Sequence, residues 1–298
     1  MKIAAITIYC NEWYRLEDWK KYYLNYKDEL YLHIIINNGI VEDNQKLLNY
    51  FPNSKVIYSR SKNMTSCYNL GVKEALSYPD IDAIMQVTND IKFERGTLSQ
   101  LYNRLMSDPT LAVIGPVMLR KDSYIIESFG YMIDNFYGDS NALYNGKSFM
   151  DLNDSFKYVS CVPGGAIMVK RSAYEKFGLQ DENIHMYCDE RDMYIRFRKL
   201  GYKEGVLCTA KAWHQHVFRP GTVARSTAAS YLTSRNRIYV TKKHNTSIIT
   251  IYEFLRLLIR YIYAYLIALI RRNSYADYYL ASIKGLVNGY LNNMTNVR

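Results

Sequence analysis

Carboxylates occur in two short segments where they could act on a bound substrate. The tripeptide Thr-Asn-Asp at 88–90 follows an apolar run, and Asp189 and Glu190 open a helical pattern. Carboxylate oxygens suit Mg²⁺ or Mn²⁺, and a carboxylate beside a substrate hydroxyl can act as a general base. Acidic residues also favour the first turn of a helix without any catalytic role, so the second segment alone is ambiguous.

Hydrogen-bonding side chains follow three further apolar runs in the first half of the chain. If these runs are neighbouring parallel strands, their carboxyl ends meet at one edge of a sheet, where open α/β sheets bind ligands. Loops are polar in most proteins, so any one of these residues is also explained without a ligand. The residues are Asn11 and Glu12 after the first run, Asn37 after the second and Asn63 after the third.

The second half of the chain offers a glycine pair, two histidines and three arginines. Gly164 and Gly165 precede an apolar run, which suits either close approach of the backbone to a ligand or a tight turn. His214 and His216 are two residues apart, so on an extended segment only one of them faces a given site. The three arginines that follow can hold phosphate through paired hydrogen bonds or can be solvated. They are Arg219, Arg225 and Arg235.

Apolar runs of strand length alternate with helical patterns through the first half of the chain. Continuous apolar strands separated by helices predict a mostly parallel sheet with helices on both faces, a Rossmann-like α/β fold. Residues 117–160 are less regular and predict an insertion or lid, and a short strand is expected at 204–209. The other predicted strands cover 2–10, 31–37, 55–59, 82–87 and 111–116, and the predicted helices 16–26, 43–50, 65–77 and 97–107.

Two helical segments at 247–272 and 275–291 close the sequence. The first is rich in Ile, Leu and Tyr, and its charges Glu253, Arg256 and Arg260 recur on one helical face. The pattern predicts an amphipathic helix, and no run of 18 uncharged apolar residues is present to span a membrane. Packing on the catalytic domain or on a homodimer partner explains it as well as docking on an anionic membrane surface does.

Composition excludes several classes of protein. With 49% hydrophobic and 22% charged residues, the 298-residue chain can form a large α/β domain with an appendage. The net charge of +10 attracts polyanions, but no nucleic-acid-binding motif is visible, so we expect no nucleic-acid partner. The five scattered cysteines contain no CxxC pair, which indicates a reduced, cytoplasmic setting.

The absence of several motifs narrows the enzyme classes further. The sequence has no P-loop, GxGxxG, GxSxG or HExxH pattern, which argues against P-loop kinases, dinucleotide oxidoreductases, serine hydrolases and zincins. The loop after the first predicted strand reads Asn-Glu-Trp-Tyr rather than a glycine-rich basic sequence. A nucleotidyltransferase, which needs such a loop to clamp phosphate, is therefore disfavoured.

From residue 3 to about 244 the order of these motifs resembles the inverting glycosyltransferase family 2, particularly its rhamnosyltransferase-like members. The resemblance implies a GT-A-type α/β catalytic domain at 1–244 and an amphipathic helical tail at 245–298. Within the domain it implies a nucleotide-sugar half at about 1–116 and an acceptor half at about 117–244. The likeness rests on the segments 7–12, 34–39, 61–71, 85–91, 111–119, 164–165, 189–202, 213–216 and 235–236.

The resemblance also implies roles for individual residues. Glu190 is the expected catalytic base, with Asp189 as the second candidate. Asp90 is the expected ligand of a divalent metal, Mg²⁺ or Mn²⁺, and His214 a second ligand. The expected nucleotide-sugar contacts are Tyr9, Asn11, Glu12, Asn37, Asn63, Asn69, Asn89 and Arg235, and the expected acceptor-side residues are Gly164, Gly165 and Asp192.

The sequence departs from the family pattern at three of these positions. Asn37 stands where the family has an aspartate that contacts the base, so the identity of the base stays open. The metal motif Thr-Asn-Asp is one carboxylate short of a full DxD. The catalytic pair at 189–190 reads Asp-Glu where the family has Glu-Asp.

Together these features predict an inverting glycosyltransferase. It would move a hexosyl or deoxyhexosyl group from a nucleotide-diphosphate sugar, with UDP or dTDP favoured, to a glycan or lipid-linked saccharide in bacterial surface polysaccharide synthesis. The expected place is the cytoplasm, and docking on the inner face of the cytoplasmic membrane is one of the two roles left open for the helical tail. Because the metal motif has a single carboxylate, the alternative is a catalytically degenerate GT-A-like protein that binds nucleotide sugar or glycan.

Overall fold

A computed structural model describes residues 1–61, 63–133, 140–215 and 227–295. These residues fall into two compact units. The first comprises Met1–Ile133, Ser140–Gln180 and the described residues from Arg196 to Gln215. The second comprises Asp181–Ile195 and the described residues from Thr227 to Thr295. The domain boundary predicted at 244 lies within the second unit.

The described part of the first unit is built on a ten-stranded sheet with helices and a separate two-stranded ribbon. The helices are α1 Leu16–Tyr23, α2 Asp43–Tyr50, α3 Met64–Leu76, α4 Thr97–Ser107 and α5 Arg171–Phe177. The strands are β1 Ile3–Tyr9, β2 Leu32–Asn37, β3 Ser54–Tyr58, β4 Ala83–Val87, β5 Ile91–Phe93, β6 Leu111–Arg120, β7 Ile126–Ser128, β8 Tyr131–Ile133, β9 Ser140–Ala142, β10 Phe156–Val159, β11 Ala166–Lys170 and β12 Lys203–His214.

The first four strands pair in parallel in the order β3-β2-β1-β4. Tyr9, Asn37 and Tyr58 are aligned across the last positions of β1, β2 and β3. The carboxyl ends of these strands therefore lie at one edge of the sheet, as the alternating apolar runs predicted. The mixed α/β architecture with helices and a C-terminal helical extension confirms the expected fold class.

The second half of the sheet mixes directions. β11 runs antiparallel between β4 and β6, whereas β12 pairs in parallel with β6. The short strands β5 and β7 pair antiparallel with β12 and β6, respectively. The predicted short strand at 204–209 is the first part of β12, which continues to His214. Part of the irregular region at 117–160 thus contributes strands that periodicity did not indicate.

The core of the first unit follows from the apolar strands. All seven residues of β1 and all five of β4 are buried. Gly71 lets α3 approach β1 closely, because a Cβ at that position would overlap the side chain of Ile6. Beside β2, the buried ring of Trp19 packs 4.3 Å from that of Phe51 between ring centroids. Part of the chain's tyrosine content serves this packing.

His33 is a buried histidine inside this aromatic cluster. Its Nδ1 lies 2.6 Å from Ser54 Oγ, and its ring stacks on Tyr23 at 4.6 Å between centroids. Burial disfavours the charged imidazole and lowers the pKa of His33 to about 3. The unfolded chain, with a histidine pKa of about 6.5, binds the proton more readily. Stability from the neutral ring is therefore present above pH 6.5 and is lost as the pH falls.

We expect His33 to make unfolding strongly pH-dependent. Between pH 7 and pH 5 the wild type should lose about 2 kcal/mol more unfolding free energy than His33→Phe, which keeps an aromatic ring but does not titrate. Urea unfolding at both pH values measures the difference. Equal losses in the two proteins would show that His33 is protonated without cost in the folded state.

The described part of the second unit consists mainly of helices. They are α6, which begins in it (Asp189–Arg198), α7 Thr227–His244, α8 Ser247–Ile270 and α9 Tyr275–Tyr290. α9 packs tightly on α7, since a Cβ at Gly285 or Gly289 would overlap the backbone of Tyr231 or Arg235. The predicted helices at 247–272 and 275–291 correspond to α8 and α9.

Two of the three charged side chains of α8, Glu253 and Arg256, face the protein, whereas Arg260 is exposed. Glu253 is buried and is paired with Arg237 of α7 at 2.5 Å and with Arg256 at 2.8 Å. Apart from Arg260, the large exposed side chains of α8 are mostly apolar and form one exposed face. It consists of Ile248, Ile251, Tyr252, Leu255, Ile259, Ile262, Tyr263, Leu266, Leu269 and Ile270. Among the described helices, none has the length and apolarity needed to cross a membrane.

Candidate functional site

The residues expected after β1 and β4 meet at the carboxyl edge of the sheet. Asn89 donates from its side-chain amide to Glu12 Oε2 at 2.6 Å, which joins the loop after β4 to the loop after β1. Arg15, in the turn that follows Glu12, contacts Asp90 through Nη1 and Oδ2 at 2.9 Å. The structure therefore brings Glu12, Asn89 and Asp90 together, as strand order predicted.

Asp90 and His214 are adjacent because of two short strand pairings. β5 begins directly after Asp90 and pairs with the end of β12, where Ile91 is opposite His214. Nε2 of His214 lies 3.3 Å from Oδ2 of Asp90. Its other nitrogen, Nδ1, lies 2.8 Å from Oε1 of Glu127 in β7. The imidazole is thus held between two carboxylates.

Electrostatics in this cluster favour charged side chains. Burial disfavours the imidazolium, but hydrogen bonds and charges from Asp90 and Glu127 outweigh it and raise the pKa of His214 to about 9. Burial likewise disfavours the Asp90 carboxylate, yet His214, Thr88 and Arg15 hold its pKa well below the usual range. Asp90 is therefore ionised at neutral pH.

The donor atoms around Asp90 fit a divalent cation when phosphate oxygens supply its remaining ligands. Asp90 Oδ2 and His214 Nε2 face one another, so a bound cation would replace the proton that Nε2 carries in this ion pair. The Glu127 contact would keep the proton on Nδ1 and orient the imidazole, as outer carboxylates do for metal-bound histidines. One carboxylate and one imidazole are few protein ligands, which suits Mg²⁺ or Mn²⁺ in a nucleotide site. Within the described residues no cluster of three or more acidic, histidine or cysteine side chains forms a complete protein-only site.

The predicted acceptor-side glycines lie beside the same loop. The carbonyl of Gly165 accepts from the backbone N–H of Thr88 at 3.1 Å, immediately before β11. A Cβ at Gly165 would meet only ordinary contacts, the nearest with Met118 at 3.5 Å. The protein's own packing therefore does not demand glycine there. Gly164 precedes it in the same turn.

Asn37 shapes the turn after β2, whereas Asn11 lies in the loop after β1. The Asn37 amide donates to Ile40 O at 2.7 Å and to Asn44 Oδ1 at 2.8 Å, and its Oδ1 accepts from Gly39 N at 2.9 Å. Asn37 is fully buried, whereas Asn11 is exposed in a left-handed conformation with φ 59°. Of the two, Asn11 presents its side chain at the surface.

Three other predicted nucleotide contacts have partners within the protein. The buried Tyr9 hydroxyl donates to Asp43 at 3.3 Å, and Asn63 caps α3 by accepting from Ser66 N at 3.2 Å. Asn69 donates to Gln180 O at 2.9 Å and accepts from Gln180 N at 3.1 Å. Because its amide is buried and is used in these two hydrogen bonds, Asn69 is better explained as a structural residue than as a contact to the nucleotide sugar.

Asp189 and Glu190 form a carboxylate pair at the start of α6. Burial, followed by the charge of Glu190 and a hydrogen bond to it, raises the pKa of Asp189 well above its usual range. Asp189 is 7% exposed, whereas Glu190 is half-buried. Asp189 is therefore harder to ionise than an ordinary aspartate, and Glu190 is the more accessible side chain of the pair.

Two predicted site residues in the second unit, Asp192 and Arg235, are buried and have partners within that unit. Asp192 is 0% exposed and pairs with Lys243 at 2.9 Å and His244 at 2.7 Å. Arg235 is also 0% exposed, and its Nη1 donates to Thr295 O at 2.7 Å. Sequence spacing could not show that α7 and the segment after α9 enclose them.

Three functional candidates were missed by sequence inspection. Arg15 and Glu127 complete the Asp90–His214 cluster, and Asn236 contacts the backbone before Asp189. Glu127 lies in the region expected to be irregular, so no pattern singled it out. Asn236 stood in the motif at 235–236 but carried no predicted role. His216, Arg219 and Arg225 lie outside the described residues.

Known proteins are similar to this chain in fold alone. No family model and no curated protein sequence matches the chain. A structure of GalNAc-T7 with UDP, GalNAc and Mn²⁺ is similar at a TM-score of 0.61 and 14% identity, over 81% of this chain and 48% of that chain. S. aureus TarS matches at 0.53 and 11%, over 89% and 43%. A structure of TarS 1-349 matches with the same score and identity over 99% and 82%.

These structures define the class of fold. At 11–14% identity the similarity shows the fold alone, and that fold is the GT-A type found in glycosyltransferases. The chain spans less than half the length of the GalNAc-T7 chain and of the longer TarS chain.

Proposed function

We propose that this protein is an inverting glycosyltransferase that uses a nucleotide-diphosphate sugar. The observation that carries the proposal is the cluster of Asp90, His214 and Glu127 at the carboxyl edge of a GT-A-type sheet. The motif order supports membership of glycosyltransferase family 2. UDP- and dTDP-sugars are the favoured donors, and the transferred group is hexosyl or deoxyhexosyl.

The first unit has the chemistry to hold the donor. Asp90 and His214 would hold Mg²⁺ or Mn²⁺, and Glu12, Asn11 and Asn89 offer polar atoms at the same edge. A divalent cation, when bound, would neutralise charge on the departing diphosphate. The Arg15 guanidinium, 2.9 Å from Asp90, is a second cationic group for the phosphates.

The second unit offers the base. Glu190 takes the proton from the acceptor hydroxyl as that oxygen forms a bond to the anomeric carbon. The bond from the anomeric carbon to the diphosphate oxygen breaks, and its electron pair leaves with the nucleoside diphosphate. Because attack and departure occur on opposite faces, the anomeric configuration inverts.

A screen of donors tests the function. Purified protein is incubated with UDP-, dTDP- or GDP-sugars, with and without Mn²⁺, and thermal stabilisation and nucleotide release are measured. We expect metal-dependent stabilisation by one nucleotide class, and slow release of nucleoside diphosphate. Stabilisation without any hydrolysis or transfer would favour the degenerate binding protein. No response to any donor would contradict both proposals.

The acceptor is proposed to be a glycan or lipid-linked saccharide of a bacterial surface polysaccharide, at the inner face of the cytoplasmic membrane. The exposed face of α8 supports a membrane location. Its ten exposed large side chains recur along 24 residues, about 36 Å of helix. Arg260 is the one exposed charge within α8, and Arg271 and Arg272 follow its end. Apolar residues flanked by cations suit an anionic lipid surface.

We expect the protein to bind vesicles that contain anionic lipid. It should co-sediment with phosphatidylglycerol-containing vesicles and much less with phosphatidylcholine alone. Ile259→Asp, at a side chain 69% exposed, should weaken binding about tenfold or more. The same change at Leu200, 57% exposed in the first unit, is the matched control. If the wild-type protein binds neither kind of vesicle and is a dimer that Ile259→Asp converts to a monomer, the exposed face of α8 is a homodimer interface instead.

A further inference from the structure

One side of α7 holds the segment that carries Asp189 and Glu190. Tyr239 donates from its hydroxyl to Asp181 at 3.0 Å, at the beginning of that segment. Lys243 contacts Asp181 at 2.6 Å and Asp192 at 2.9 Å. Asn236 lies one turn before Tyr239 and two turns before Lys243, on the same side of the helix. The segment is thus anchored at both ends and near its middle.

Asn236 contacts the backbone near the middle of this segment. Its Nδ2 donates to the carbonyl of Met186 at 2.7 Å and to that of Tyr187 at 2.9 Å. Its Oδ1 accepts from Nε of Arg235 at 3.0 Å. The side chain is fully buried, so both of its amide hydrogens and its oxygen are used within the protein.

The backbone beside these hydrogen bonds from Asn236 has an unusual conformation. Tyr187 and Cys188 have φ of 67° and 65°, in the left-handed region that non-glycine residues seldom adopt. α6 begins at the next residue, and Asp192 N donates to Cys188 O at 3.1 Å in its first turn. Such backbone conformations persist only where neighbouring groups hold them. Two hydrogen bonds from one amide are such a restraint.

We propose that Asn236 is a positioning residue that holds the turn at 186–188 and thereby fixes where the pair Asp189–Glu190 points. The C-terminal helices support it. Gly289 of α9 lies against the backbone of Arg235, and Arg235 joins Asn236 to Thr295 by hydrogen bonds through Nε and Nη1. The tail therefore contributes to base placement through α7. This inference rests on the proposed role of Glu190.

Kinetics of two matched variants test the proposal. Asn236→Ala removes the two hydrogen bonds to the turn at 186–188. Asn288→Ala removes a 2.7 Å hydrogen bond from α9 to the Tyr231 hydroxyl in the same unit. Both should lower the melting temperature by a few degrees. Only Asn236→Ala should lower kcat, by about 10²-fold, with KM for the donor changed less than threefold. Equal kcat losses in the two variants would reduce Asn236 to a structural role.

Hydrogen exchange supplies a second measurement that does not depend on turnover. In Asn236→Ala the amides of residues 187–192 should exchange at least tenfold faster than in wild type, and in Asn288→Ala they should not. Unchanged exchange in Asn236→Ala would overturn the inference even if its activity falls. If the wild type transfers no sugar, the proposed function fails while the exchange result still decides whether Asn236 holds the turn.

Discussion

Replacing Glu190 with Gln should lower kcat for sugar transfer by about 10³-fold and leave donor binding within twofold of wild type. A positioned general base contributes about 10²- to 10⁴-fold to such a step. Glutamine keeps the shape of the side chain but cannot accept the acceptor's proton. Because the donor contacts proposed here belong to the first unit, metal-dependent thermal stabilisation by the donor should persist.

The comparison with Asp189→Asn identifies which carboxylate is the base. Because Asp189 is buried and its pKa is raised, it is the poorer candidate for an ionised base, so an amide there should cost only about tenfold. Glu182→Gln, the same change at an exposed residue of the same segment, controls for local perturbation. Full activity in Glu190→Gln together with a 10³-fold loss in Asp189→Asn would reverse the assignment. Full activity in both variants would contradict the proposal that either carboxylate is the catalytic base.

Sequence patterns predicted the parts of the fold that depend on local periodicity. The apolar runs at 2–10, 31–37 and 82–87 became β1, β2 and β4, since continuous apolar strands must be buried on both faces. Parallel strand order then placed Glu12, Asn89 and Asp90 at one edge. The antiparallel insertion of β11 between β4 and β6 was not predictable, because it depends on pairing over a long sequence separation.

Polar residues were harder to assign than strands. Asn69, Asp192 and Arg235 all matched family motifs, yet each is buried against a partner distant in sequence: Gln180, Lys243 and Thr295, respectively. A motif gives a residue's type but not the groups that use its hydrogen-bonding capacity. Arg15 and Glu127 were missed for the same reason, since only the folded sheet brings them to Asp90 and His214.

Asp90 should be essential for the metal-dependent part of donor binding. Asp90→Asn keeps the side-chain shape and removes the charge, so Mn²⁺ should no longer increase donor-induced stabilisation. We expect kcat/KM to fall about 10³-fold, since stabilising charge on a leaving diphosphate is worth several kcal/mol. Asp82→Asn is the matched control, because Asp82 immediately precedes the same strand, β4, and is exposed there.

The contacts of Asp90 distinguish a metal ligand from an ion-pair partner. If Asp90 binds the cation, Glu127→Gln should weaken metal affinity about 10- to 100-fold through His214, as loss of an outer carboxylate does. If Asp90 instead serves to orient Arg15, then Arg15→Ala should reproduce the Asp90→Asn defect, and Mn²⁺ should have no effect on the wild type. Titration of Mn²⁺ into the three variants in the presence of donor separates these outcomes, because only a ligand role links Asp90, His214 and Glu127 to the metal concentration.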